Sequence, residues 1–328
     1  MTSVVVAILV KNGAQYLSEV LCSVKDQKSP FDVRLLAIDS GSTDGSLSIL
    51  ERQGVETILI PPSDFNHGDT RNLAAELAGE ETDFVVYLTQ DATPADRCWL
   101  ANLVAPLLLD VEVAGAFSRH LPRERSTPAQ VRQLTQVWQS GQAQRIVKEM
   151  PHDSATYEQN QLFYAYFSDT SSVIRRSVWE SIPFPRVHFA EDAAWADRVL
   201  RAGYRIVFEP ASRVIHSHDY SLVEQFRQNV DHVAGMRKVF PGASDLSLAT
   251  WLRVFGGIPR EVLADWRFIA VSDRCRSSSP TRKLFWALHS PLWHLASVCG
   301  SWLGSRLDRL QFLEVLLSRQ ERLRRGIG

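Results

Sequence analysis

Short runs of mostly apolar residues open the chain and recur through its first quarter. Val4–Leu9, Val33–Ile38, Val55–Ile60 and Phe84–Leu88 lack the polar alternation of a half-exposed strand, the pattern of strands buried on both faces. Between them lie stretches of helical length, Ala14–Asp26, Ser46–Arg52 and Thr70–Ala78. Strand–helix–strand alternation at this spacing predicts right-handed βαβ units and an α/β fold with a doubly wound, mostly parallel sheet. Ligands of such sheets collect at the carboxyl ends of the strands, so the polar residues just past each strand carry the functional interest.

Farther along, a helix is expected from Pro94 to about Leu109, with the proline at an early position where its missing N–H costs nothing. Pro122–Pro151 is polar and Gln-rich and reads as irregular helix and loop over the site. Ser171–Arg175 and Arg205–Phe208 read as strands, and Glu191–Ala202 as a helix stopped by Gly203. Past Tyr220 the pattern is helical throughout, punctuated by Pro241–Gly242 and Gly256–Gly257. The expected organisation is a ligand-binding domain over residues 1–220 and a helical C-terminal region over residues 221–328.

Composition narrows the picture. The 328 residues are 45% hydrophobic and 22% charged, which is globular, and a net charge of −1 argues against nucleic acid as a partner. The balance hides an asymmetry: from Arg274 onward ten Lys/Arg face three Asp/Glu, a net +7 on a body of −8. Leu284–Gly304 is apolar and aromatic but carries His289, Pro291 and His294, so it is a poor spanning helix. Arg282–Lys283 before it and Arg306 and Arg309 after it give the profile of a helix lying in a membrane interface, or else of one packed on the rest of the chain or on a second subunit. Cys22, Cys98, Cys275 and Cys299 are scattered without zinc-site spacing and read as reduced cytosolic thiols. Val4–Val10 lacks the basic flank and length of a signal peptide.

Candidate chemistry sits at the strand ends. Asp39, in Ile38–Asp39–Ser40–Gly41–Ser42–Thr43–Asp44–Gly45, can accept the ring N–H of a uracil or thymine, or serve with Asp44 as a turn and cap residue. Asn12 is likewise a turn residue or part of a nucleotide pocket. Arg71, in Phe65–Asn66–His67–Gly68–Asp69–Thr70–Arg71–Asn72, suits phosphate or pyrimidine recognition near a helix N-terminus, or is a plain surface cation. Asp91, in Leu88–Thr89–Gln90–Asp91–Ala92–Thr93–Pro94, can hold Mg²⁺ against a diphosphate, or cap the next helix. Glu191–Asp192, flanked by His188, Phe189 and Trp195, can take a proton from an attacking hydroxyl, or be two carboxylates favoured by a helix dipole. His216 or His218 can complete a metal shell, or lie exposed.

The order and spacing of these segments resemble the family-2 glycosyltransferases of the GT-A fold, and among them the rhamnosyltransferase-like branch. The residues that carry the resemblance are Ile38–Asp44, Asn66–Asn72, Thr89–Pro94, Ala190–Asp192 and His216–His218, over roughly residues 3–220. The resemblance implies that Asp39 binds the pyrimidine, with Asn12 and Gln90 in the same nucleotide pocket, and that Arg71 contacts base or phosphates. It further implies that Asp91 holds Mg²⁺ or Mn²⁺ with His216, less so His218, and that Asp192 is the catalytic base with Glu191 beside it. Two departures stand out: Gln90–Asp91–Ala92 keeps one carboxylate where Asp-x-Asp is usual, and Val10–Lys11–Asn12 lacks the usual proline.

The implied enzyme is an inverting transferase using a nucleotide-sugar donor, dTDP-L-rhamnose favoured, and a saccharide or lipid-linked acceptor. It would be cytoplasmic, peripheral at the inner face of the plasma membrane, with a membrane surface or a homo-oligomer as partner of the tail. A UDP-sugar-dependent galactofuranosyl- or N-acetylglucosaminyltransferase is the nearest rival. A sugar-phosphate nucleotidyltransferase would need a Gly-rich loop where Lys11–Asn12–Gly13 stands. A catalytically silent donor-binding protein sits badly with Asp91 and Asp192.

Overall fold

The computed structural model describes residues 1–137, 139–187, 189–242 and 247–307. His188 and Arg309, both named above, lie outside these, as does residues 308–328 of the basic tail. The chain divides into two compact units. The first comprises residues 1–121 and 139–216, and the second residues 122–138 and 217–328. The Gln-rich stretch at 122–151 is therefore shared between them rather than being one loop.

The first unit begins as the apolar runs predict. Strand β1 (Ser3–Val10) leads through helix α1 (Ala14–Lys25) to β2 (Asp32–Asp39), then through α2 (Ser46–Arg52) to β3 (Glu56–Leu59). Helix α3 (His67–Ala78) precedes β4 (Phe84–Thr89), and β1, β2, β3 and β4 all pair in parallel. Val4, Val6 and Ile8 pack with α1 residues Leu17, Val20 and Leu21 on one face, while Val5 and Ala7 pack with Ala74 and Ala75 of α3 on the other. Both faces of β1 are thus covered, which is why its sequence shows no alternation.

Beyond β4 the sheet becomes mixed. It continues with β5 (Thr93–Pro94), α4 (Trp99–Leu109), β6 (Val113–Leu121), β7 (Ile146–Lys148), β8 (Ser171–Arg175) and β9 (Arg205–Ile215). The order is β3-β2-β1-β4-β8-β6-β9-β5, with β7 on β9; β8 runs antiparallel to both β4 and β6, and β6 parallel to β9. Short helices α6 (Ser154–Gln159), α7 (Gln161–Tyr164) and α8 (Arg176–Ser181) and the longer α9 (Glu191–Arg201) fill the connections. Two expectations are corrected. The helix expected from Pro94 starts at Trp99, because Thr93 and Pro94 pair with Ile215 and Val214 as a short strand. A proline lacks the ladder N–H and is tolerated there at a sheet edge. The second correction is β6 itself, absent from the apolar-run reading because its outer half, Ser118–Arg119–His120, is polar.

The second unit is helical: α5 (Pro128–Arg132), α10 (Leu222–Val239), α11 (Leu248–Gly256), α12 (Ile258–Val271), α13 (Asp273–Arg276) and α14 (Pro280–Gly304). Side chains at Gly300 and Gly304 would strike the backbone of Phe226 and Val230, so these glycines allow α14 to lie close against α10. A buried ion cluster ties three helices. Arg132 reaches Asp265 Oδ1 at 2.5 Å and Glu261 at 2.6 Å, while Ser290 donates to Asp265 Oδ2 at 2.6 Å and His294 Nε2 lies 2.8 Å from it. Burial opposes the charge on Asp265, but hydrogen bonds from His294, Ser290 and Arg132 hold its carboxyl below the ordinary range.

Candidate active site

The turns after β1, β2 and β4 are sewn together at the carboxyl edge of the sheet. Asp39 is fully buried at the end of β2. Its Oδ1 accepts the N–H groups of Gly41 (2.9 Å) and Ser42 (2.8 Å), while among the described residues Oδ2 has no hydrogen-bond partner. Asn12 has a left-handed backbone (φ 51°) and its side-chain oxygen accepts from Thr43 N at 2.8 Å. Asp44 accepts from Ala14 N at 2.9 Å and Ser46 N at 3.0 Å, and so serves the first turns of both α1 and α2. Lys11 donates to the carbonyls of Ser40 (2.9 Å) and Gly41 (2.6 Å). Gln90 is engaged with backbone: its Oε1 accepts from Lys11 N at 2.8 Å and its Nε2 donates to Lys11 O at 2.9 Å.

The Asn66–Asn72 segment forms the start of α3 and builds a corner for Glu191 and Asp192. Asn66 Oδ1 caps the helix through Gly68 N and Asp69 N, and its Nδ2 donates to Val187 O at 3.1 Å. Asn72 donates to Phe184 O (2.9 Å) and accepts from Phe184 N (2.9 Å) and the Trp179 indole (2.8 Å). Any side chain at Gly68 would strike the Pro185 carbonyl. These contacts fix the 184–187 segment, which turns into α9 through Ala190 at φ 58°. A non-glycine residue in that region costs about 1–3 kcal/mol and persists only where its surroundings over-determine it.

Arg71 points into this corner. It is 6% exposed, and its Nε lies 2.7 Å from Asp169 and its Nη1 2.5 Å from Glu191. The guanidinium that the resemblance assigns to base or phosphates is therefore committed to two buried carboxylates. Asp192, partly exposed, accepts from Ala193 N at 2.7 Å and from Asp169 N at 3.3 Å. Burial first, then the neighbouring charges of Glu191 and Asp169, push its carboxyl up to about 8. Burial likewise lifts Asp169 to about 6, although Arg71 works against it. Burial also opposes the charge of Glu191, but Arg71 and then His67 hold its carboxyl below the ordinary value.

Asp91 and His216 meet past the ends of β4 and β9, with His216 Nε2 3.6 Å from Asp91 Oδ2. The His120 ring lies edge-on to His216, centroids 5.4 Å apart. His218 follows two residues later, past the end of the first unit at His216. One carboxylate and one imidazole are a partial donor set that fits Mn²⁺ or Mg²⁺, ions that commonly keep positions for water and substrate oxygens.

Two residues of these groups were not legible as functional. Asp169 sits just before β8, fully buried, with Ser172 donating to its Oδ1 at 2.6 Å. An acidic residue between an aromatic stretch (Tyr164–Phe167) and a buried strand is the signal that marks it. His120 belongs to the strand that the apolar pattern did not reveal.

Comparison with known proteins gives a consistent picture. The family model for glycosyl transferase family 2 matches residues 5–181. The O-antigen chain rhamnosyltransferase WbaN of Salmonella anatum is 34% identical over 200 residues, 60% of this chain. The chain spans 61% of that relative's length. RfbN of Salmonella typhimurium, also an O-antigen chain rhamnosyltransferase, is 30% identical over 223 residues, covering 67% of this chain and 68% of its own length. Among solved structures, the mannosyltransferase PcManGT of Pyrobaculum calidifontis, in complex with GDP-Man and Mn²⁺, superposes with a TM-score of 0.56 at 18% identity, over 94% of this chain and 86% of that one. TarS of S. aureus, residues 1–349, gives 0.52 at 17% identity, over 92% and 91%. At these identities the likeness shows the fold, a GT-A-like sheet with a helical C-terminal region.

Proposed function

The chain belongs to glycosyl transferase family 2, and from that membership we propose that it is an inverting glycosyltransferase moving L-rhamnose from dTDP-L-rhamnose to a hydroxyl of a cell-surface polysaccharide or lipid-linked oligosaccharide. The observation that carries the donor side is Asp39: a buried carboxylate whose Oδ2 has no partner among the described residues, suited to the ring N–H of a pyrimidine. Asn12, through Thr43, and Gln90, through Lys11, brace that pocket. The choice of dTDP-rhamnose over a UDP-sugar is supported by the two rhamnosyltransferase relatives, since thymine and uracil offer Asp39 the same N–H.

Asp91 and His216 would hold Mg²⁺ or Mn²⁺, which would neutralise charge on the departing nucleoside diphosphate. On the acceptor side Asp192 takes the proton of the attacking hydroxyl. That oxygen bonds to the anomeric carbon as the bond to the diphosphate oxygen breaks, inverting the centre. A carboxyl raised to about 8 is a stronger base than an ordinary aspartate when ionised, and it is mostly protonated in the resting protein at pH 7. Glu191 and Asp169, held by Arg71, supply part of that shift and keep Asp192 in place. The acceptor reading brings the protein to the inner face of the plasma membrane as a peripheral cytoplasmic enzyme. Homo-oligomerisation is the other use open to its C-terminal region.

The deciding experiment is a calorimetric titration with dTDP, UDP and GDP in the presence of Mg²⁺, followed by transfer assays. Binding of dTDP at least as tight as UDP, turnover of dTDP-rhamnose, and silencing by EDTA with rescue by Mg²⁺ or Mn²⁺ are expected. Transfer from a UDP-sugar and none from dTDP-rhamnose would establish the rival donor, and full activity in chelator would remove the metal.

A further inference from the structure

Helix α14 is built inside out. At 100° per residue, Leu284, Phe285, Leu288, Leu292 and Leu295 fall within an arc of about 100°. All five face solvent, from 45% exposed at Leu295 to 65% at Leu288. The opposite side carries Ser290 and His294, bonded to Asp265, and Gly300 and Gly304, pressed on α10. A surface helix of a water-soluble unit has the reverse arrangement. Trp266 of α12, 45% exposed, donates its indole N–H to Ala287 O at 3.0 Å and widens the face. Single exposed leucines need no explanation, but a continuous face of large apolar side chains on two helices does.

We propose that this face binds an anionic phospholipid surface, lying along it with the apolar side chains at the headgroup–acyl boundary. Among the described residues no helix is long and apolar enough to cross a membrane, so the contact is one of lying on the bilayer. Charge selects the occupant. Between Asp273 and Leu307 five Lys/Arg stand against the single acid Asp273. Arg282 and Lys283 adjoin Leu284 directly, and Arg274 and Arg276 belong to the preceding short helix. The Arg282 guanidinium lies over the Trp286 ring at 5.0 Å, the pairing of cation and aromatic ring that suits an interface. A second copy of the chain would bring these like charges together, whereas anionic headgroups complement them. The inference rests on the peripheral placement proposed above and names its surface and its lipid chemistry.

The test uses the full chain with vesicles of phosphatidylcholine alone and of an equimolar mixture with phosphatidylglycerol, read by co-sedimentation. The expected result is binding at least ~10-fold tighter to the mixed vesicles, weakened by salt. Leu288→Glu with Leu292→Glu should lower binding to both vesicle types by ~10-fold or more. Arg282→Glu with Lys283→Glu, at surface positions that leave folding intact, should abolish only the preference for phosphatidylglycerol. Binding of dTDP is measured alongside. Its loss in the wild type counts against the donor reading, while its persistence without vesicle binding counts against this surface alone. A wild-type chain that ignores anionic vesicles at low salt overturns the proposal. So does a dimer that Leu288→Glu with Leu292→Glu dissolves while vesicle binding is unchanged.

Discussion

Two buried arginines, one in each unit, sit between pairs of carboxylates, and the two clusters behave differently. Arg132 in the second unit bridges Asp265 and Glu261, and the remaining oxygen of Asp265 is occupied by Ser290 and His294. Every charge there is answered, and Asp265 is held below its ordinary range. Arg71 in the first unit bridges Asp169 and Glu191 in nearly the same way, but a third carboxylate, Asp192, stands beside them. One cation faces three carboxylates, two of them buried and the third partly exposed. Burial first, and the unbalanced carboxylate charge after it, push Asp192 to about 8 and Asp169 to about 6. A matched cluster holds helices together, whereas an over-acidic one raises a carboxyl into the neutral range, where it can exchange a proton.

The contrast is sharpest at Asp192 itself. Asp192→Asn should cut transfer by ~10²–10⁴ while nucleotide binding stays near normal, as expected when a general base is lost. Its stability should rise rather than fall. The folded carboxyl titrates at about 8 against ~3.9 in the unfolded chain, so the folded state is relatively weakened as pH climbs through that interval, and the amide escapes this. A melting temperature a few degrees above wild type at pH 8 is the expected reading. Near-wild-type turnover would move the base to Glu191 and erase the distinction between the clusters.

Replacing the two arginines tests the other half of the comparison. Arg71→Met leaves Asp169 and Glu191 buried without their cation and should destabilise by ~3–5 kcal/mol in denaturant unfolding. A folded Arg71→Met that merely fails to bind dTDP would instead return Arg71 to the ligand. Arg132→Met should cost less, ~1–3 kcal/mol, since Asp265 keeps Ser290 and His294.

The smallest effect is the most specific. Asp169→Asn removes one of the charges that lift Asp192, so the rising limb of the pH–rate profile should shift to lower pH, by less than ~2 units. An unmoved inflection would mean that burial alone sets the base.

What the sequence made legible follows from how each signal is encoded. Strands β1 and β4 and the second half of β2 are buried on both faces, so their apolar runs announce them, and Asp39 and Asp91 stand at or just past the strand ends. Strand β6 was hidden because Ser118 is satisfied by Ser171 and Ser212 inside the sheet, a solution that local patterning cannot display. The Asn66–Asn72 segment was recognisable as a motif, but its contacts within the fold were not. Arg71 meets Asp169 and Glu191, each about a hundred residues away in the chain, and only tertiary contact shows that the guanidinium faces inward. In the tail, helices were evident from composition, while the direction in which α14 turns its apolar side was not.

The amide of Gln90 has one further implication. By pairing with both the N–H and the C=O of Lys11, it imitates a peptide group and splices the ends of β1 and β4 together. A carboxylate at this position has no N–H to offer Lys11 O, so Gln90→Asp would gain a charge beside Asp91 only by cutting the splice. Gly13 is tied to the same arrangement, since any side chain there would collide with the Gln90 amide. The dependence runs one way: a side chain at position 13 fits only where position 90 has vacated the place of the Gln90 amide, so in relatives a replaced Gly13 should come with a replaced Gln90.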